Sequence, residues 1–66
     1  MDELEKLKRL LRHWMEHNNE HAGAYRDWDE KASSLGNEEL SRILDLLYHE
    51  TKRLNRLIEK AQRLIG

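Results

Sequence analysis

Between positions 13 and 21 the chain reads His-Trp-Met-Glu-His-Asn-Asn-Glu-His, so that His13, His17 and His21 recur every four residues with Glu16 and Glu20 interleaved. Side chains at that spacing stand one above another on one side of an α-helix, and neighbouring imidazoles there are close enough to share a metal ion. The chemistry this suggests is ligation of a transition metal by neutral imidazole nitrogens, with a carboxylate helping to complete the shell. Two of the three histidines fall on or beside a stripe that is otherwise apolar, where a polar side chain needs a reason.

That stripe defines the elements that must position the histidines. Leu4, Leu7, Leu11, Trp14, Asn18, His21, Tyr25, Trp28, Ala32 and Leu35 alternate in steps of three and four, which predicts one helix over about 2 to 35. Gly36 suits the left-handed position that ends a helix, and Asn37 followed by Glu38 and Glu39 is an N-cap with acidic first-turn residues. A second seam through Leu40, Leu44, Leu47, Thr51, Leu54, Ile58, Ala61 and Ile65 predicts a helix over about 38 to 65. A turn at 36 and 37 folds the two back antiparallel, so residues 1 to 66 read as a single all-α hairpin domain.

A chain of 66 residues has a marginal core of its own, and with no cysteine it has no disulfide to reinforce it. Ile43, Leu57 and Leu64 widen the second seam to three positions, more than one neighbouring helix can cover. Dimerisation into a four-helix bundle is therefore expected. Residues 1 to 15 carry +1, 51 to 66 carry +4 and 16 to 50 carry −6, a polarity that favours an antiparallel homodimer with its turns at opposite ends. The chain has no apolar run of the ~20 residues needed for a membrane span, and Met1-Asp2-Glu3 does not resemble a secretory signal. A soluble, cytoplasmic protein is expected.

Asn18 and His21 interrupt the first seam, with His17 on its flank; Thr51 interrupts the second, with Glu50 on its flank. Antiparallel pairs should sum to roughly 72 to 75 if Leu35 lies across from Leu40, which sets Asn18 and His21 opposite the segment from Thr51 to Leu54. The candidate metal ligands are His17, His21 and Glu50, joined by His13 from the outer flank, with Glu20 as a hydrogen-bond acceptor behind an imidazole. Zinc is the default ion, and nickel, copper, cobalt or iron suit the same donors. Ala22, Gly23 and Ala24 leave room beside His21 for a ligand or a close helix approach. His49 belongs to the outer face, and Trp14, Tyr25 and Trp28 to the core.

Two other functional classes compete. A buried His-Asn-Glu-Thr layer can fix register and oligomeric state without any metal. Lys6, Lys8, Arg9 and Arg12 meet Lys52, Arg53, Arg56, Lys60 and Arg63 at the open end as a potential phosphate-binding patch, although the net charge of −1 and the interspersed acids disfavour nucleic acid. An enzyme is not expected. His13 to His17 and His17 to His21 both match the H-x-x-E-H string of inverted zinc peptidases, but a hairpin offers no substrate cleft.

The string His-Trp-x-Glu-His-Asn-x-x-His-Ala at 13 to 22, followed by Tyr25-Arg26-Asp27-Trp28, resembles a group of small prokaryotic helical proteins of uncertain function that share both features. The resemblance covers the first half of the chain and implies metal handling through His13, His17 and His21. It says nothing of Glu50, and the second helix departs from the Ala-rich one of that group. In size and architecture the chain also resembles the small dimeric RNA-binding hairpins that regulate plasmid copy number, with no shared motif.

Overall fold

The computed structural model describes residues 2–66, which form two helices, α1 (Glu3–Ser34) and α2 (Glu38–Ile65), folded into a hairpin 52 × 16 × 11 Å in extent. Both helices start where a side chain supplies the missing acceptor: Asp2 Oδ1 accepts from the Leu4 amide at 3.1 Å, and Asn37 Oδ1 from the Leu40 amide at 3.2 Å. Glu3 and Glu5, then Glu38 and Glu39, occupy the positive ends of the two helix dipoles. The expected first helix of 2 to 35 thus loses one residue at each end to its caps.

The turn closes by a pair of bonds that spends two otherwise orphaned carbonyls of α1. The Asn37 amide donates to the Ala32 carbonyl at 2.9 Å and the Gly36 amide to the Ser33 carbonyl at 3.0 Å. This crossing pattern needs a left-handed residue between helix and cap, and Gly36 supplies it at φ 80° without a Cβ penalty. With so short a joint α2 must return along α1, and no described helix is long and apolar enough to cross a membrane.

The helices meet along a line displaced by one residue from the predicted seams. Side chains wholly or partly buried on α1 are those of Lys8, Leu11, Met15, Asn18, Ala22, Tyr25, Asp29 and Ala32; on α2 they include Ser41, Leu44, Tyr48, Thr51, Asn55, Ile58, Gln62 and Ile65. Four of the ten expected seam residues of α1 are retained, 11, 18, 25 and 32, and five of the eight of α2, 44, 51, 58, 61 and 65. The others give way to their neighbours. Trp14 and Trp28, expected in the core, stand 44% and 57% exposed, and Leu7, Leu40, Leu47 and Leu54 share that outward flank.

Bulk and hydrogen bonding account for the displacement. Helices pack with axes about 8–10 Å apart, a gap that fully buried Ala22 and nearly buried Ala32 accommodate and an inward indole at 14 or 28 would hold open. The selected flank also satisfies its polar groups. Asn55, only 6% exposed, accepts from Asn18 Nδ2 at 3.0 Å and donates to Asn19 Oδ1 at 2.9 Å and to the Met15 carbonyl at 3.4 Å. Lys52 Nζ adds a bond to Asn19 Oδ1 at 3.2 Å, and Ser41 donates to Asp29. Arg26 lies over the Tyr48 ring, 4.2 Å from its centroid. Among the described residues no buried side-chain polar atom is left without a partner.

The hairpin alone is poor in core. Among the described residues three apolar side chains, those of Leu11, Ala22 and Ala32, are buried, whereas thirteen large apolar ones are exposed. The accessible surface of 5415 Å² exceeds by about 1,000 Å² the roughly 4,450 Å² of a compact monomer of 8.0 kDa.

Two stability predictions follow from these contacts, both measured by urea unfolding at fixed protein concentration. Asn55→Ala strands the Asn18 amide and should cost about 1–3 kcal/mol, whereas the double replacement Asn18→Leu with Asn55→Leu should recover most of that loss, because Asn19 keeps Lys52. A cost below about 0.5 kcal/mol for the single variant would remove the asparagine layer from any role in holding the hairpin. At Gly23, in mid-helix, an added Cβ would meet nothing within 4 Å. The expected close approach is therefore absent there within the chain, and Gly23→Ala should stabilise by about 0.5–1 kcal/mol; a destabilising result would mean that the missing side chain serves a contact outside the hairpin.

Candidate metal centre

The three histidines form one continuous row on the exposed side of α1. Ring centroids of His13 and His17 are 6.1 Å apart and nearly parallel, those of His17 and His21 are 4.6 Å apart and tilted by 60°, and Tyr25 extends the row at 6.0 Å from His21. The spacing follows from the helix, which brings residues four apart round to the same side. His17 and His21 are the closest of these pairs, within the range in which two imidazoles can address one ion.

Their surroundings differ from those expected. In the hairpin the layer between the helices keeps Asn18 and Thr51 from the expected set and is completed by Asn19 and Asn55, whereas His21, Glu50 and Leu54 stand exposed. Asn55 was legible in the sequence in one respect: 18 and 55 sum to 73, inside the expected antiparallel register. Its role has no local signal, because it lies one residue off the strongest apolar periodicity, next to Leu54. That same one-residue rotation moves the histidines outward.

Outward here does not mean onto the polar side. Trp14 and His17 line an open groove of about 410 Å³ together with Leu54, Leu57 and Ala61 of α2, so the histidine row borders the apolar flanks that both helices present on a common side. His17 and His21 interrupt that flank at mid-length. Leu7, Leu10 and Trp14 are exposed on one side of them, and Trp28 and Leu35 on the other.

Glu50 occupies the equivalent place on α2, between Ile43 and Leu57, and its carboxylate lies 3.7 Å from the Arg53 guanidinium. Both partners of that ion pair are exposed, so it is weak and easily exchanged. Glu20 is exposed and has no bond to an imidazole among the described residues. His49 takes the expected outer position, 3.3 Å from Asp45 and edge-on to Tyr48. Among the described residues no three His, Asp or Glu side chains of a single chain converge as a metal shell. What one chain brings together is the pair of imidazoles of His17 and His21, with His13 one turn before them; Glu50 lies on α2 beside Arg53 and Leu54 and does not join them.

At the open end Lys8, Arg12 and Arg63 border a shallow groove of about 480 Å³, where Glu59 is the acidic side chain in the lining. Of the other cations expected to meet there, Arg53, Arg56 and Lys60 line a separate groove on α2.

No curated protein and no solved structure matches the chain. A family model described as a domain of unknown function (DUF8180) matches residues 7–65, which takes in the histidine row, the turn and nearly all of α2. The chain belongs to that family, whose shared extent is the whole hairpin rather than the histidine segment alone.

Proposed function

We propose that this chain is a metal-binding helical-bundle protein: two hairpins pair as an antiparallel homodimer, a four-helix bundle, and hold a divalent transition metal, zinc in first place, through His17 and His21. The observation that carries the reading is the pair of imidazoles 4.6 Å apart, set at mid-length in an exposed apolar flank. Bulky polar side chains in such a flank weaken its burial unless something engages them. Metal ligation does so by using the neutral form of the ring.

The structure bears on the metal-free alternative in a specific way. A polar layer that fixes register is a sound use of buried amides, and Asn18, Asn19 and Asn55 already form one inside the hairpin. The histidines are then not needed for that purpose in the single chain, and ligation is the remaining chemistry that their spacing suits. Dimerisation is supported by the thirteen exposed large apolar side chains and by the surplus surface of the hairpin. A face of 52 by 16 Å amounts to on the order of 800 Å² per copy, the footprint of a standard stable interface.

A second reading rests on the cations at the open end, which would suit a phosphate backbone. It is distinguished by salt: RNA binding through Lys8, Arg12 and Arg63 should weaken steeply as salt rises, whereas metal ligation should respond to pH instead.

Calorimetric titration of metal-stripped protein with zinc, nickel, cobalt and copper tests the proposal directly. Binding of at least one ion tighter than ~100 μM, corresponding to about 5.5 kcal/mol, is expected. It should be accompanied by a higher melting temperature and by weaker binding as the medium is acidified, because protons and metal compete for the same imidazole nitrogens. His21→Leu removes a ligand while extending the apolar flank, and so should abolish the metal-induced rise. Failure of all four ions to bind in that range would retire the metal reading and leave a plain helical interaction module.

A further inference from the structure

We infer that the metal shell is shared between two copies: one ion lies on the two-fold axis of the antiparallel dimer, held by His17 and His21 of both chains, so that metal binding and dimerisation are linked. This rests on the metal reading above and adds to it where the remaining ligands come from and what loading regulates. A single chain supplies two clustered nitrogens, and among the described residues no third His, Asp or Glu joins them. A structural zinc site takes four donors. A second copy related by a two-fold axis supplies the same two nitrogens again.

The geometry of the hairpin sets the level of that axis. Exposed apolar side chains run from Leu4 to Leu35 on α1 and from Leu40 to Leu64 on α2, so covering all of them requires the two rods to overlap along their full length. With turns at opposite ends, full overlap places the dyad at mid-rod, near Asn19 on α1, which by the Asn18–Asn55 pair is level with about Leu54 on α2. The midpoint of the His17–His21 pair is position 19, within about 1 Å of that level at 1.5 Å of rise per residue. All four imidazoles then lie within about 4 Å of the dyad along the helix, and His17 of one copy is nearly level with His21 of the other.

Direction agrees with level. In a four-helix bundle each helix meets its two neighbours about a quarter turn apart. Starting from the line that packs on α2, centred between Asn18 and Ala22, a quarter turn toward the apolar flank arrives between His21 and His17 at 100° per residue. The histidine pair therefore faces the α1 of the second copy. On the other side of the bundle the same operation faces α2 with α2. The basic half of α2, carrying +4 over 51 to 66, lies along the acidic half of its counterpart, which includes Glu38, Glu39, Asp45 and Glu50.

Zinc chloride titrated calorimetrically into the full metal-stripped chain, with sedimentation equilibrium in the presence and absence of zinc, tests the shared shell. The expected stoichiometry is one zinc per two chains, and saturating zinc should tighten self-association at least tenfold. His17→Gln, which keeps size and polarity, and His21→Leu should each remove the zinc dependence of self-association. His49→Ala, on the outer face, should retain it. Circular dichroism establishes that each variant is helical, and His17→Gln decides the matter if His21→Leu changes the oligomer by itself. One zinc per chain with self-association unmoved would overturn the shared shell while leaving the metal reading intact; no zinc binding at all would overturn the shared zinc shell, and the metal reading falls with it if nickel, cobalt and copper also fail to bind.

Discussion

The mutual packing of α1 and α2 depends on one buried amide. Asn55 both accepts and donates, joining Asn18, Asn19 and the Met15 carbonyl in a single layer near the middle of the rod. A buried amide left unpaired costs more than a neutral hydrogen bond contributes, so sliding α2 along α1, or rotating it toward the apolar flank, meets a penalty at this point. Leucines tolerate several registers; an amide with directional partners does not. Small residues nearby, with Ala22 fully buried, allow the close approach that these bonds require.

Fixing this flank inward decides what is left outside. The apolar stripe of each helix is three positions wide and a single neighbour covers only part of it, so the Trp14, Trp28, Leu47 and Leu54 side chains remain on one common side. The histidine row is carried along with them, because His17 and His21 share the helical face of Trp14 and Trp28. The same rotation that satisfies the asparagines therefore leaves two neighbouring imidazoles within an exposed apolar flank. Covering polar rings there costs free energy unless they gain partners.

Charge acts at longer range and more weakly. The exposed pairs Asp45–His49 and Glu50–Arg53 add little to stability individually. Their value lies in the division of sign along the rod, basic toward the open end and acidic around the turn, which opposes a parallel arrangement of two copies more than it strengthens any one contact. Membership of the DUF8180 family extends over this whole polarised hairpin.

The sequence by itself determined the elements and their ends. Helical periodicity, Asn37 as a cap and Gly36 as the one residue suited to φ 80° are local properties, and they specify two helices, the turn and the antiparallel return without reference to any distant contact. The spacing of His13, His17 and His21 likewise fixed that they form a row. Which side of α1 faces α2 was decided only in three dimensions. Periodicity locates the centre of an apolar stripe, and a stripe three positions wide can meet a single neighbour along either flank; the choice fell to the bulk of Trp14 and Trp28 against Ala22, and to hydrogen bonds between side chains as far apart in the chain as Asn18 and Asn55. A one-residue rotation separates the two flanks, and it moved His21 from the expected seam to the apolar surface beside His17, because the partners that select between flanks are distant in sequence and adjacent only in the fold.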